Sequence, residues 1–447
     1  MSVESLQPLD VADSPQGRER AVVADLAKRV QKDSVWLILG YGITSIVGFA
    51  FWIVAARTMT PTEVGIGTAH LGVITAAAAI GATGIGDALL VMLPAAGAQR
   101  AALLRLGAVV LAIVAVVAAG VGVAVLALQP GGASPLLVGA IVVSTVAWAF
   151  FVIKDAVLQG LGQVRWTLYL NGPANLVKLG MLPILAFALA GSSWALVLSA
   201  IVPAAVAGVI AWSLVSPRHA RAEEGNDRRV SPELRREFTL FVTRGGIASG
   251  VYVSTFLLLP ALVTAFAGPE QGAVYALAAQ LAATIDLVTH SFGSSFARHA
   301  SADGRSRTGL VRIWLRTATI AAIAAVGLVA VAPVILWILG DFYVEAGGWA
   351  VIALLAATSV INTVVTMWAS SLRARRATAT LLVWALVNSA VLVAGVWFAA
   401  GPYGAMGAAT VVLVISALMS TVGIVGLIRA SRTREVVSRA EEEDLPA

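Results

Sequence analysis

The sequence contains no cysteine, which excludes disulfides, thiolate metal centres and cysteine nucleophiles. Charge is scarce, at 12% of residues, and only four histidines are scattered along the chain. Neither HExxH nor GxxxxGK[ST] occurs, so a zinc-protease signature and a phosphate loop for ATP hydrolysis are both missing. No loop is long enough to fold as a catalytic domain; the best acidic loop, "GDFYVEAGG", is short. The expectation is a protein that is not an enzyme, with no catalytic residue, metal site or cofactor.

Apolar surface, by contrast, is abundant. Hydrophobic residues make up 59% of 447 positions, and the mean hydropathy is +0.89. A soluble fold cannot hide that much, whereas a membrane bundle exposes it to lipid. Twelve apolar runs reach spanning length: 35–55, 64–93, 106–128, 135–158, 167–189, 193–215, 238–265, 273–295, 314–339, 348–371, 379–399 and 404–428. The runs are continuous rather than alternating, which excludes a β-barrel. The predicted class is an all-α polytopic membrane protein of 12 transmembrane helices. No small-residue cleavage site follows the first run, so it is expected to stay as the first span.

Basic residues sort by side. Of 30 Lys and Arg, only Arg57 falls in a loop on the side opposite the N-terminus. Cytoplasmic loops carry the excess of positive charge, so both termini are expected in the cytoplasm of a bacterial plasma-membrane protein. The net charge of +6 is dispersed among short loops, and no nucleic-acid partner is expected.

The longest hydrophilic insert separates two sets of six spans. The expected organisation is a cytoplasmic N-terminal segment (1–34), an N-lobe (35–215), a linker (216–237), a C-lobe (238–428) and a cytoplasmic tail (429–447). "PTEVGIGTAHL" after the first span and "PEQGAVYALAAQ" after the seventh support duplication, since each opens an even-numbered helix. Val22, Leu26 and Val30 at helical spacing fit either a helix on the inner leaflet or a solvated extension of the first span.

Intramembrane polar residues are the candidates for function, because a charge at the bilayer centre costs at least ~2.5–3.5 kcal/mol. Asn171, Asn175 and Lys178 share one helical face in "NGPANLVKLG", and Arg244 lies in the seventh span. Asp286 and His290, one turn apart, could form a structural ion pair or a proton-coupling site. Lys154, Asp155 and Asp87 read as interfacial groups snorkelling to water. Asn362 and Asn388 read as interhelical hydrogen-bonding residues.

"AARTMTPTEVGIGTAHL" and "DAVLQGLGQVRWTLYLNGPANLVKLGMLPIL" resemble segments of bacterial polysaccharide biosynthesis membrane proteins. The first matches their Ala-Arg…Pro-Glu-Gly pattern after the first helix, and the second their Leu-Gln-Gly junction. Thr60 and Val64 depart from the usual glycine and aromatic there. The resemblance implies a lipid-linked oligosaccharide flippase of the multidrug, oligosaccharidyl-lipid and polysaccharide exporter superfamily, with two six-helix lobes around a central cavity. The first helix lacks the charges of the peptidoglycan-precursor branch, which favours an exopolysaccharide or O-antigen-like unit. In such a cavity Lys178 and Arg244 would meet the pyrophosphate, and Asn171, Asn175, Tyr252 and Gln280 the sugar hydroxyls. The implied partners are a lipid-linked glycan, membrane lipids, and a glycan polymerase or glycosyltransferases. The alternative is a cation-coupled exporter of small amphipathic compounds on the same fold.

Overall fold

The computed structural model describes residues 44, 46–127, 134–220, 229–300, 307–374 and 378–443, and among them it is helical with short turns. The expected N-terminal segment lies outside the described residues. The helices are α1 (Ile46–Thr58), α2 (Pro61–Met92), α3 (Arg100–Leu126), α4 (Pro135–Gly160) and α5 (Arg165–Ala188). In α6, Trp194–Ile210 passes through a π turn, Ala211–Val215, into Ser216–Ala220. In α7, Pro232–Phe241 passes through a π turn, Val242–Gly246, into Ile247–Ala267. The remaining helices are α8 (Pro269–Ala300), α9 (Arg307–Leu339), α10 (Gly348–Ala374) and α11 (Thr378–Glu443).

Local chemistry explains the boundaries. Thr60 caps α2 by accepting from the Glu63 amide, while the Glu63 carboxylate accepts from the Thr60 amide at 2.7 Å. With Pro61 at the first helical position, two otherwise unpaired donors are satisfied. α7 starts at Pro232, earlier than its apolar run, because Ser231 caps it and Arg235 and Arg236 are tolerated outside the apolar layer. α11 covers two of the expected spans. Gly404, at φ 60°, reverses the chain between them, and the arms fold back so that Gly395 faces Val411 and Ile415.

Eight helices among the described residues are long and apolar enough to cross a membrane, and neither α5 nor α8 is among them. Those two carry the polar residues singled out above, which lowers their hydropathy.

α2 and α7 pack along most of their length. A Cβ on Gly84 would strike the backbone of Gly246, one on Gly250 the backbone of Ile80, and one on Gly72 the Leu257 carbonyl. Ser254 donates to the Ala76 carbonyl at 2.6 Å inside this seam. At one end, Gly65 of α2 meets the backbone of Pro269, and Arg57 donates to the carbonyls of Trp337 and Ile338 that close α9. Exposed Trp337, Trp397, Phe398 and Tyr403 cluster near this Arg57 end, as aromatic residues do at membrane–water boundaries.

Candidate functional site

A cavity of about 380 Å³ lies between the helices of the first and second halves. Along α2, α8 and α10 its walls run from Thr68 to Asn362 and Asp286, roughly 10–25 Å from the Arg57 end at 1.5 Å per residue. That is the depth of the middle of a hydrocarbon layer ~30 Å thick.

The α2 and α8 walls correspond. Counted from Pro61 and Pro269, Thr68 falls with Ala276, Leu71 with Ala279, Gly72 with Gln280 and Thr75 with Ala283, and all eight line the cavity. The short Pro-Glu repeat in the sequence therefore marks two helices that present the same positions to one space.

The lining is polar and aromatic together. Thr68, Thr75, Thr358, Ser359, Asn362 and Gln280 supply hydroxyls and amides, and Trp52, Trp148, Phe256 and Tyr275 supply rings. Hydrogen-bonding groups set against flat rings suit ligands that have both polar edges and apolar faces. Lys178 enters from α5 with its ammonium 4.1 Å from the centre of the Phe51 ring. Among the described residues no carboxylate pairs with it. Asp286 enters from α8 and is hydrogen-bonded by Ser359 of α10.

A second pocket of about 320 Å³ adjoins the first, between α1, α5 and α8. The two share Trp52, Lys178, Gln280 and Ala283; the second adds Phe49, Leu277, Leu281 and Leu339 to the polar Thr44, Asn175 and Thr284, and is the more apolar of the two. Lys178 and Gln280 thus stand at the junction of the cavity and a more apolar pocket.

The candidate residues sort as follows. Lys178, Gln280 and Asp286 face the cavity, and Asn175 lines the second pocket. Asn171 donates to Asp155 at 3.1 Å, and Tyr252 packs behind Phe256 in a ring cluster with Trp384; neither lines the cavity. Arg244 lies in the π turn of α7 and His290 on α8, and the side chains of both are outside the described residues.

Two readings of individual residues change. Lys154 does not snorkel to water. It is fully buried against Asp155 at 3.0 Å, because Asp155 and the Phe151 carbonyl meet its ammonium locally. Asn362 lines the cavity instead of tying helices together, while beside Asn388 the serine at 389 accepts from Thr255 at 2.6 Å and joins α7 to α11. Trp52, Trp148 and Ser359 carried no signal in the sequence, since an aromatic or serine in an apolar run looks like ordinary packing.

A family profile described as polysaccharide biosynthesis protein matches residues 30–297. No curated protein matches the chain in sequence. Among solved structures, the chain resembles an inward-facing multidrug resistance MATE family transporter of the MOP superfamily. That match has 14% identity and a TM-score of 0.59, covering 88% of this chain and 96% of the other. It also resembles an outward-facing structure of the same kind, at 12% identity and TM-score 0.57, covering 91% and 96%. A MOP superfamily transporter from Pyrococcus furiosus, described as having a binding pocket of reverse polarity, matches at 13% identity and TM-score 0.57, covering 91% and 96%.

Proposed function

The chain belongs to the polysaccharide biosynthesis protein family, and we propose on that basis that it flips a lipid-linked oligosaccharide across a bacterial plasma membrane. The carrying observation is Lys178 at the junction of the cavity and the more apolar second pocket. A lipid-linked sugar has the same order of parts: hydroxyl-rich head, anionic phosphates, apolar chain. The cavity's hydroxyls, amides and rings fit the sugar, the lysine the phosphates, and the second pocket the first part of the chain.

Twelve spans in two six-helix lobes, with both termini cytoplasmic, complete the proposal. The matching cavity positions on α2 and α8 support the two related lobes. The basic residues on the side away from Arg57 support the orientation. Alternating access then rocks one lobe against the other about the cavity. Asp286, with His290 one turn further, is the proposed coupling site for protons. Glycosyltransferases would supply the substrate, and a glycan polymerase would consume it.

Asp286 also favours a second reading, a cation-coupled exporter of small amphipathic compounds, because a cavity carboxylate attracts cationic ligands. Proteoliposomes decide between the two. Flipping of a fluorescent polyprenyl-pyrophosphate saccharide, inhibited by the unlabelled lipid but not by organic cations, is expected. Uptake of an organic cation without lipid flipping would establish the exporter instead.

A further inference from the structure

The Lys154–Asp155 pair has no part in the cavity, yet it is an ion pair inside an apolar bundle. The Lys154 ammonium donates to Asp155 Oδ1 and to the Phe151 carbonyl, each at 3.0 Å, and sits 3.7 Å from the centre of the Phe151 ring. Stability alone does not account for such a pair, since well-packed apolar residues in its place are often neutral or better. What the pair reaches is more informative. Asp155 Oδ2 accepts from Asn171 Nδ2 at 3.1 Å, which ties α4 to α5.

α5 needs tying. Its buried residues are only Thr167, Leu170 and Leu182, and Pro173 and Pro183 interrupt its backbone hydrogen bonding. Two side-chain tethers flank Pro173. Asn171 is held by Asp155, and Asn175 donates to Thr44 at 3.2 Å. Asn171, Asn175 and Lys178 lie on one face of α5, so the rotation that these tethers set is the rotation that aims Lys178.

We propose that Asp155, neutralised by Lys154, is a positioning residue that acts through Asn171 to aim Lys178 into the cavity. The inference rests on the reading of Lys178 as the phosphate-binding group, and one arm of its test is independent of that reading. Asn171 Oδ1 is buried and has no hydrogen-bond partner among the described residues. An asparagine at position 155 can therefore accept from Asn171 Nδ2 and also donate to its Oδ1, whereas a leucine can do neither.

The experiment uses the full chain in nanodiscs and a fluorescent polyprenyl pyrophosphate as probe. Lys178→Gln is expected to weaken probe binding at least tenfold. The apolar pair Lys154→Met/Asp155→Leu is expected to weaken it to a similar degree, with no further loss when combined with Lys178→Gln. The pair Lys154→Met/Asp155→Asn is expected to restore binding. Wild-type affinity in the apolar pair, or losses that multiply with Lys178→Gln, would overturn the proposal.

The second arm exploits the absence of native cysteine. Labelling of Lys178→Cys by a soluble thiol reagent is expected to slow severalfold in the apolar-pair background and to recover in the asparagine pair. Unchanged labelling overturns the positioning role. Wild-type probe binding by Lys178→Gln together with altered labelling would remove the phosphate role and leave the positioning role standing.

Discussion

Arg57 of α1 holds the C-terminus of α9 through Trp337, donating from Nη2 to its carbonyl at 3.0 Å and from Nε to the neighbouring Ile338 carbonyl. A helix C-terminus carries unpaired carbonyls and partial negative charge, so a guanidinium is well matched to it. This contact accounts for the one basic residue out of place in the charge pattern. It is kept on that side because it joins a first-half helix to a second-half helix there.

Arg57→Ala should therefore lower stability by on the order of 1 kcal/mol, the range for a cation at a helix C-terminus. Arg57→Lys should recover part of it, since an ammonium can reach one carbonyl but lacks the planar fork. Thermal unfolding in detergent at low and high salt measures both. Wild-type melting in the alanine variant would reduce the contact to a surface decoration.

Gly84→Ala should be severely destabilising, because its methyl would meet the backbone of Gly246, where no side chain can move aside. Overpacking of this kind costs about 1–3 kcal/mol. Gly120→Ala is the control: nothing lies near a Cβ there, and alanine in a helix gains up to about 1 kcal/mol over glycine. Folded yield after detergent extraction should fall for the first and hold or rise for the second.

Tyr343 lies in the short connecting helix Asp341–Glu345, with its ring buried and its hydroxyl without a hydrogen-bond partner among the described residues. Burial pushes its phenol well above the ordinary value of about 10. The folded state then holds its proton where the unfolded chain releases it, so this contribution is complete below about pH 10 and declines as pH rises above it. Tyr343→Phe should flatten that alkaline decline and leave neutral stability unchanged or up to about 1 kcal/mol higher. A steeper decline in the variant would point to a hydrogen bond that the phenolate accepts.

Asp286→Asn should still equilibrate a labelled lipid-linked saccharide between leaflets but lose its response to an imposed pH gradient. Undiminished gradient dependence in vesicles would assign Asp286 to ligand binding or structure, and the drive to membrane potential or another ion.

The all-helical membrane character and the polar residues set within apolar helices were legible in the sequence, because apolar run length is a local property; helix ends were less so, since α7 begins at Pro232, before its apolar run. Lys178 and Asp286 stood out for the same reason: a charge in a long apolar run has few explanations. Which polar residues face one another was not legible. Asn171 and Lys178 share a helical face, yet one is engaged by Asp155 and the other opens on the cavity, and only the packing of α4 separates them. Lys154 misled for a related reason. Proximity to a helix end favours snorkelling, but an adjacent carboxylate and a carbonyl one turn back satisfied it inside. Thr60, a departure from the family pattern, has a local purpose as the cap of α2.

The paired walls of α2 and α8 bear on how a ligand lies between them. Two identical helices facing a shared space would give any ligand two equivalent ways to lie. Their matched positions differ, and at one of them Gln280 projects an amide from α8 while Gly72 lets α2 lie against the Leu257 carbonyl, which a Cβ there would strike, so that equivalence is removed. Removing the arm alone, as Gln280→Ala, leaves that seam untouched and would ask whether the cargo passes through in a single orientation.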